Sequence, residues 1–297
     1  MTKHKDKIGF IGLGAMGSRM AMNLINDGFE VTVYDIRTEA TKLLLSKGAK
    51  TAKNPREASE NSDIVILSLP SPSKVIDVVM GKNGVLEGLK EGGIIIDTST
   101  IDPHSTKKIA TTIKEKGIGM IDAPVSGGTL GAENGTLSIM VGGEEKILNT
   151  CMDVLKVIGK NIYHVGEIGS GQVFKLINNM LVGINLIAVS EALVLAQKAG
   201  VNLNTLYEVI KTSSGNSWAF EIKAPSMLKK EFQPGFKIWL QHKDLGLAMD
   251  MASSYGVPTP LLAYSYEIFK SAKALGLEDL DHSAIIRFAE KISEIEI

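Results

Sequence analysis

The chain has 297 residues, of which 44% are hydrophobic and 22% charged. That balance excludes a mainly disordered protein, and the length favours two domains. Its 32 basic and 33 acidic side chains leave a formal net charge of -1, so there is no global basic field to grip nucleic acid. One cysteine, Cys151, allows neither an internal disulfide nor a cysteine-rich metal site, and it fits a reducing compartment, taken here as the cytoplasm.

The apolar run Ile8 to Leu13 is too short for a signal-peptide core and leads into a glycine turn, so no targeting peptide is expected. Short runs rich in Ile and Val follow at Lys7–Ile11, Glu30–Tyr34, Asp63–Leu67 and Ile94–Asp97, with helical patterns between them such as Met16–Asn26 and Thr38–Lys47. Strands that are apolar throughout and alternate with helices predict a parallel sheet covered on both faces. Further strands are expected at Gly119–Asp122, Leu137–Val141 and Ile162–Val165. The looser spacing from Ile118 to Met140 suggests that the order of the sheet changes there.

After Gly166 the pattern becomes helical. Gly169-Ser170-Gly171 opens a run to Ala199, and further helices are expected at Leu203–Thr212, Lys237–Ser254, Pro260–Leu275 and Ser283–Ile292. The boundary falls near Glu167, giving an α/β domain over 1–167 and an all-helical domain over 168–297, joined by the long helix. The stretch Gln172 to Ser190 carries one charge, Lys175, but also Gln172, Asn178, Asn179 and Asn185. Those amides suit a buried helix of a soluble protein better than a membrane span, so no membrane association is expected.

Gly12-Leu13-Gly14-Ala15-Met16-Gly17 follows a strand and precedes a helix. Gly12 permits the tight turn, Gly14 lets backbone approach a pyrophosphate, and Gly17 lets helix and strand pack closely. The free N–H groups of the helix then face the phosphates. Asp35 ends the second strand, where a carboxylate accepts hydrogen bonds from the adenosine ribose. It would repel a 2′-phosphate, which favours NAD over NADP, although Arg37 lies close by in sequence. Leu69-Pro70 and Thr98-Ser99-Thr100 follow later strands and belong to loops expected to line the same crevice, with Leu69 packing beside the cofactor and Thr100 reaching the nicotinamide ribose.

Ser126, Gly127 and Gly128 offer a hydroxyl and successive backbone N–H groups, which suits a small anion such as a substrate carboxylate. Lys175 is the one charge in its apolar stretch, with Asn179 four residues on and therefore on the same helix face. Desolvation disfavours the ammonium form and lowers such an amine towards about 7–8, useful for proton transfer. Lys243, beside His242 on a C-terminal helix, is expected to close over the cofactor. His242 is read as a packing or surface residue. No histidine has metal-ligand spacing to Cys or carboxylates, so no catalytic metal is expected.

The Gly12–Gly17 turn with Met20, Asn23 and Leu24, then Asp122-Ala-Pro-Val-Ser-Gly-Gly128, then Gly169-x-Gly171-x-x-x-Lys175-x-x-x-Asn179, then Lys243-Asp244-Leu245, occur in the order that resembles the β-hydroxyacid dehydrogenases. This is the family of 3-hydroxyisobutyrate dehydrogenases and tartronate semialdehyde reductases. The resemblance implies a Rossmann domain, an all-helical domain for substrate and oligomerisation, and a homodimer or homotetramer. It implies that Lys175 is the catalytic lysine and Asn179 orients the substrate. It further implies that Ser126, Gly127 and Gly128 bind a small carboxylated alcohol or aldehyde, and that Lys243 lies near the nicotinamide. NADP-preferring members tend to have Asn-Arg at the end of strand two. Asp35-Ile36-Arg37 does not fit that pattern. Trp218 and Phe236 are expected to contribute to the side-chain pocket. Imine reductases, which resemble this architecture, generally lack the lysine. A 6-phosphogluconate dehydrogenase would need a larger helical domain. A non-catalytic binding module is disfavoured by intact Lys175 and Asn179.

Overall fold

A computed structural model of the chain describes residues 6–297. The first five residues, part of the N-terminal stretch read as lacking a targeting peptide, lie outside the described residues. The chain divides into two compact units, one ending at Lys175 and one spanning Leu176–Ile297. The division falls inside the long helix.

The first unit runs β1 (Lys7–Ile11), α1 (Gly17–Asn26), β2 (Glu30–Tyr34), a 3-10 turn (Thr38–Thr41), α2 (Lys42–Leu45), β3 (Lys50–Thr51), α3 (Pro55–Ser59), β4 (Ile64–Leu67), α4 (Pro72–Met80), α5 (Val85–Gly88) and β5 (Ile94–Asp97). It continues with α6 (Pro103–Lys114), β6 (Gly119–Asp122), β7 (Val125–Ser126), α7 (Gly128–Glu133), β8 (Leu137–Gly143), α8 (Glu145–Ile158) and β9 (Gly159–Gly166). Strands β3-β2-β1-β4-β5-β6 pair in parallel, the doubly wound order. Beyond β6 the order changes as the spacing suggested, because β8 pairs antiparallel with β6 and β7 and parallel with β9.

Alternation along the strands explains why both faces are covered. Ile8 and Phe10 of β1, Ile64 and Ile66 of β4, and Ile94 and Ile96 of β5 enter one core. Ile11, Val65, Leu67 and Ile95 enter the other. The period of two sends successive side chains to opposite sides, so a strand buried on both must be apolar throughout. Three helices start on the same local signature. Asn54, Ser71 and Asp102 each accept a backbone N–H three residues on, and each is followed by proline at the first helical position. The side chain satisfies an orphan donor and proline supplies the helical φ, with a cap worth about 1 kcal/mol.

Helix α9 (Ser170–Lys198) begins in the first unit and continues into the second, which then holds α10 (Leu203–Lys211), α11 (Trp218–Leu228), α12 (Ile238–Ser254), α13 (Pro260–Ala274), a 3-10 turn (His282–Ile285) and α14 (Ile286–Ser293). By length and composition α9 could cross a membrane. Its Leu176, Leu186, Ile187 and Leu193 instead pack into the core of the second unit with Phe220, Leu245 and Phe269. Helix α11 carries no clear sequence signal. Its apolar residues follow no clean helical period, with Glu221 and Lys223 among them, and it contains Pro225.

Candidate active site

The phosphate turn lies between β1 and α1. Gly12 has φ +95°, a value that strains any residue with a side chain, and a Cβ there would strike the Ser68 carbonyl. A Cβ on Gly17 would strike the carbonyl oxygen of Gly12, whereas a Cβ on Gly14 would meet nothing within 4 Å. Gly12 and Gly17 are therefore required by the turn itself. Gly14 leaves open space on the outer side of the turn, which fits a dinucleotide pyrophosphate.

Asp35 sits at the end of β2. Its carboxylate accepts from Leu13 N at 2.7 Å and from Arg37 N at 2.8 Å, and Arg37 Nε lies 3.1 Å away. Burial would raise this carboxyl, but the hydrogen bonds from Arg37 and Leu13 outweigh it and hold Asp35 below the usual carboxylate value. A cleft of about 400 Å³ is lined by Leu13, Gly14, Ala15, Ser18, Arg37, Glu39 and Ala40. Met16 precedes α1 and packs against the core.

The loop after β5 is more tightly held than its sequence suggests. Thr98 Oγ1 donates to the Leu67 carbonyl at 2.6 Å, Ser99 Oγ accepts from Leu69 N at 2.9 Å, and Ser99 N donates to buried Asp97 at 3.0 Å. Leu69 and Thr100 are half-buried, while Pro70 is exposed. Ser126 ends β7 and pairs with Ser138 of β8. Gly127 and Gly128 follow it, exposed and at φ +134° and +64°.

The start of α9 is anchored in the same unit. Asp122, fully buried at the end of β6, accepts from Gly169 N at 2.7 Å and Gln172 N at 2.9 Å. Burial pushes its carboxyl up to about 6 against the pull of those N–H groups. One turn on, Lys175 is 8% exposed.

In the second unit, Asn179 is buried and its Nδ2 donates to Asp244 Oδ2, while its carbonyl accepts from Gln241 Nε2 at 2.8 Å. Lys243 Nζ lies 2.9 Å from Asp244 Oδ1. Asn178, on another face, donates to Asn179 Oδ1 at 2.9 Å. His242 stacks on Tyr266 with ring centroids 4.4 Å apart. Burial, then the charges of Lys273 and Lys270, lower its pKa. Trp218 is 58% exposed at the start of α11, and half-buried Phe236 meets His282 edge-on at 5.5 Å. Asp122, Gln172, Gln241 and Asp244 carry no assigned role in the sequence reading. Their partners are distant in the chain, and only their burial reveals them. Among the described residues no three His, Cys, Asp or Glu side chains converge to hold a metal ion.

The chain resembles known proteins over nearly its whole length. Residues 7–166 match the NAD binding domain of 6-phosphogluconate dehydrogenase, and residues 169–289 match the domain described as NAD-binding of NADP-dependent 3-hydroxyisobutyrate dehydrogenase. The chain is 44% identical to 2-(hydroxymethyl)glutarate dehydrogenase of Eubacterium barkeri over 98% of its length and 97% of that protein. It is 40% identical to 2-hydroxy-3-oxopropionate reductase of Escherichia coli strain K12 over 96% and 97%. The solved structure of Mycobacterium tuberculosis 3-hydroxyisobutyrate dehydrogenase with L-serine superposes with a TM-score of 0.88 at 35% identity, covering 96% of this chain and 99% of that one. The chain belongs to the β-hydroxyacid dehydrogenase family of 3-hydroxyisobutyrate dehydrogenases and 2-hydroxy-3-oxopropionate (tartronate semialdehyde) reductases, and is an oxidoreductase acting on CH–OH groups.

Proposed function

We propose that the protein is an NAD-dependent dehydrogenase that interconverts a small 3-hydroxy acid and its semialdehyde, with Lys175 as general acid and base. The observation that carries this reading is a lysine 8% exposed on α9, four residues before Asn179, in a chain of this family. Bound nicotinamide dinucleotide supplies or accepts the hydride. In oxidation, the Lys175 amine takes the hydroxyl proton. In reduction, its ammonium polarises the aldehyde oxygen and returns the proton. The Ser126 hydroxyl and the N–H groups of Gly127 and Gly128 hold the substrate carboxylate. Asn179 orients the substrate, and Lys243 serves the nicotinamide side.

NAD is favoured because Asp35 is held ionised where the adenosine ribose binds, so a 2′-phosphate there would meet a carboxylate. Leu69, Pro70 and Thr100 complete the cofactor side. The exposed apolar side chains Phe174, Ile177, Leu181 and Leu195 on α9 support a homodimer or homotetramer. We assign the protein to the cytoplasm, where its buried free Cys151 would stay reduced. The test is a panel followed at the NADH absorbance band: 3-hydroxyisobutyrate and 2-(hydroxymethyl)glutarate with NAD, and 2-hydroxy-3-oxopropionate with NADH. Each is repeated with the 2′-phosphorylated cofactor. Turnover of at least one of these acids with a higher kcat/KM for the non-phosphorylated cofactor supports the reading. A clear preference for NADPH overturns the role given to Asp35, and inactivity towards every acid overturns the substrate class.

A further inference from the structure

Gln172 is fully buried on the first turn of α9, three residues before Lys175 and so on a neighbouring strip of the helix surface. Its side-chain amide uses both ends on one loop. Oε1 accepts from Ile101 N at 3.0 Å, and Nε2 donates to the Ser99 carbonyl at 2.9 Å. Both partners belong to the loop after β5, the loop that carries Thr100 and that Ser99 ties to Leu69. Any buried side chain can pack here. An amide making two bonds to backbone groups that flank one residue fixes the position of the helix along that loop, and it leaves two backbone groups unsatisfied if lost. The helix is also held from beneath, since Asp122 accepts from Gly169 N and Gln172 N. A Cβ on Gly171 would run into the Met140 carbonyl and lie 2.7 Å from Asp122 Oδ2.

We infer that Gln172 is a positioning residue, whose amide sets the turn of α9 bearing Lys175 in register with the Ser99–Ile101 loop on the cofactor side. The inference rests on the reading of Lys175 as general acid and base. It extends that reading by giving the amine's placement a specific cause. Proton transfer requires the amine within hydrogen-bond reach of the substrate oxygen while hydride moves, and a misplacement of about 1 Å costs about 10²-fold in rate. Gln172 touches neither reacting group, so its loss should appear in the chemical step and not in binding.

The full-length protein is tested as wild type, Gln172→Met, Gln172→Glu, Lys175→Ala and the double variant Gln172→Met/Lys175→Ala. Met keeps the buried volume and removes both hydrogen bonds. Glu keeps the acceptor for Ile101 N but, ionised, has no donor for the Ser99 carbonyl. NADH affinity is read by fluorescence titration, and KM and kcat with the fastest of the acids named above. Gln172→Met is expected to lose about 10²-fold in kcat while NADH affinity and KM stay within about threefold. Single-turnover rates of the double variant should match those of Lys175→Ala, because the group that Gln172 positions is already gone. The inference is overturned by a folded Gln172→Met with wild-type kcat, by a loss confined to KM or NADH affinity, or by a full further loss in the double variant. If Gln172→Met does not fold, Gln172→Glu is judged by the same criteria. Near-normal turnover of Lys175→Ala would remove the Lys175 reading and this inference together. An inactive Lys175→Ala beside a fully active Gln172→Met would remove this inference alone.

Discussion

Asp122 in the first unit and Asp281 in the second are both deeply buried and accept backbone N–H groups, and the two behave oppositely. Asp122 in the first unit accepts from Gly169 N and Gln172 N, and burial raises its pKa to about 6. Asp281 in the second accepts from Gly235 N, Phe236 N and Ser283 N. Burial acts to raise it too, but the charges of His282 and Lys223 prevail and bring it down to about 2. Lys223 Nζ lies 2.9 Å from its Oδ1. Backbone donors occur at both sites, so the neighbouring cation decides the sign. Asp281 is a structural clamp on the loop before α12. Asp122 holds the helix start with no ion pair among the described residues, in the unit that carries the nucleotide turn.

The largest test of that contrast is Lys223→Met, which leaves the Asp281 charge buried with less compensation. It is expected to destabilise the second unit by about 3 kcal/mol, a typical cost of breaking a buried pair, read as a lower denaturation midpoint. An unchanged midpoint would show that the N–H groups alone suffice.

The pH dependence should then differ in sign between the units. Asp281 is lowered on folding, so its contribution is present above about pH 4 and lost as pH falls towards 2, worth about 2 kcal/mol. Asp122 is raised on folding, so its contribution is present below about pH 4 and lost as pH rises through 6, worth about 3 kcal/mol at most. Asp122→Asn should abolish the loss between pH 4 and 6 and leave the acid limb from Asp281 intact. Unfolding curves at stepped pH measure both, and a wild-type slope persisting in Asp122→Asn would exclude Asp122 as its source.

A smaller effect separates turn geometry from ligand space. Gly17→Ala should cost about 2 kcal/mol, because its Cβ overlaps backbone at the Gly12 carbonyl. Gly14→Ala should change stability by less than about 0.5 kcal/mol, since its Cβ meets no protein atom within 4 Å. It should nonetheless weaken NADH binding about tenfold by entering the phosphate space. Equal NADH affinity in Gly14→Ala and wild type would remove the pyrophosphate from that position.

The same division governs what the sequence made legible. The nucleotide turn is contiguous, and each of its glycines has a local reason, so Gly12 to Gly17 could be read directly. Strands β1, β4 and β5 were visible because burial on both faces demands apolar runs, whereas β3 is two exposed residues, Lys50 and Thr51, and gives no such signal. Lys175 stood out as a charge inside an apolar helix. Gln172 did not, since its partners lie 71 and 73 residues away. Asn179 meets Asp244 and Gln241 across 65 and 62 residues, and nothing in a helical pattern distinguishes those two from solvent-facing polar residues. Helix α11 escaped detection because Pro225 interrupts the pattern and its apolar residues, with Glu221 and Lys223 among them, follow no clean helical period.

The central claim is that the Lys175 amine exchanges the proton while hydride moves. Lys175→Ala, assayed by single turnover and by NADH fluorescence titration on the same preparation, tests it most directly. Turnover should fall about 10³-fold with NADH affinity within about twofold of wild type. A variant that binds NADH normally and keeps turnover within about tenfold of wild type would contradict the account.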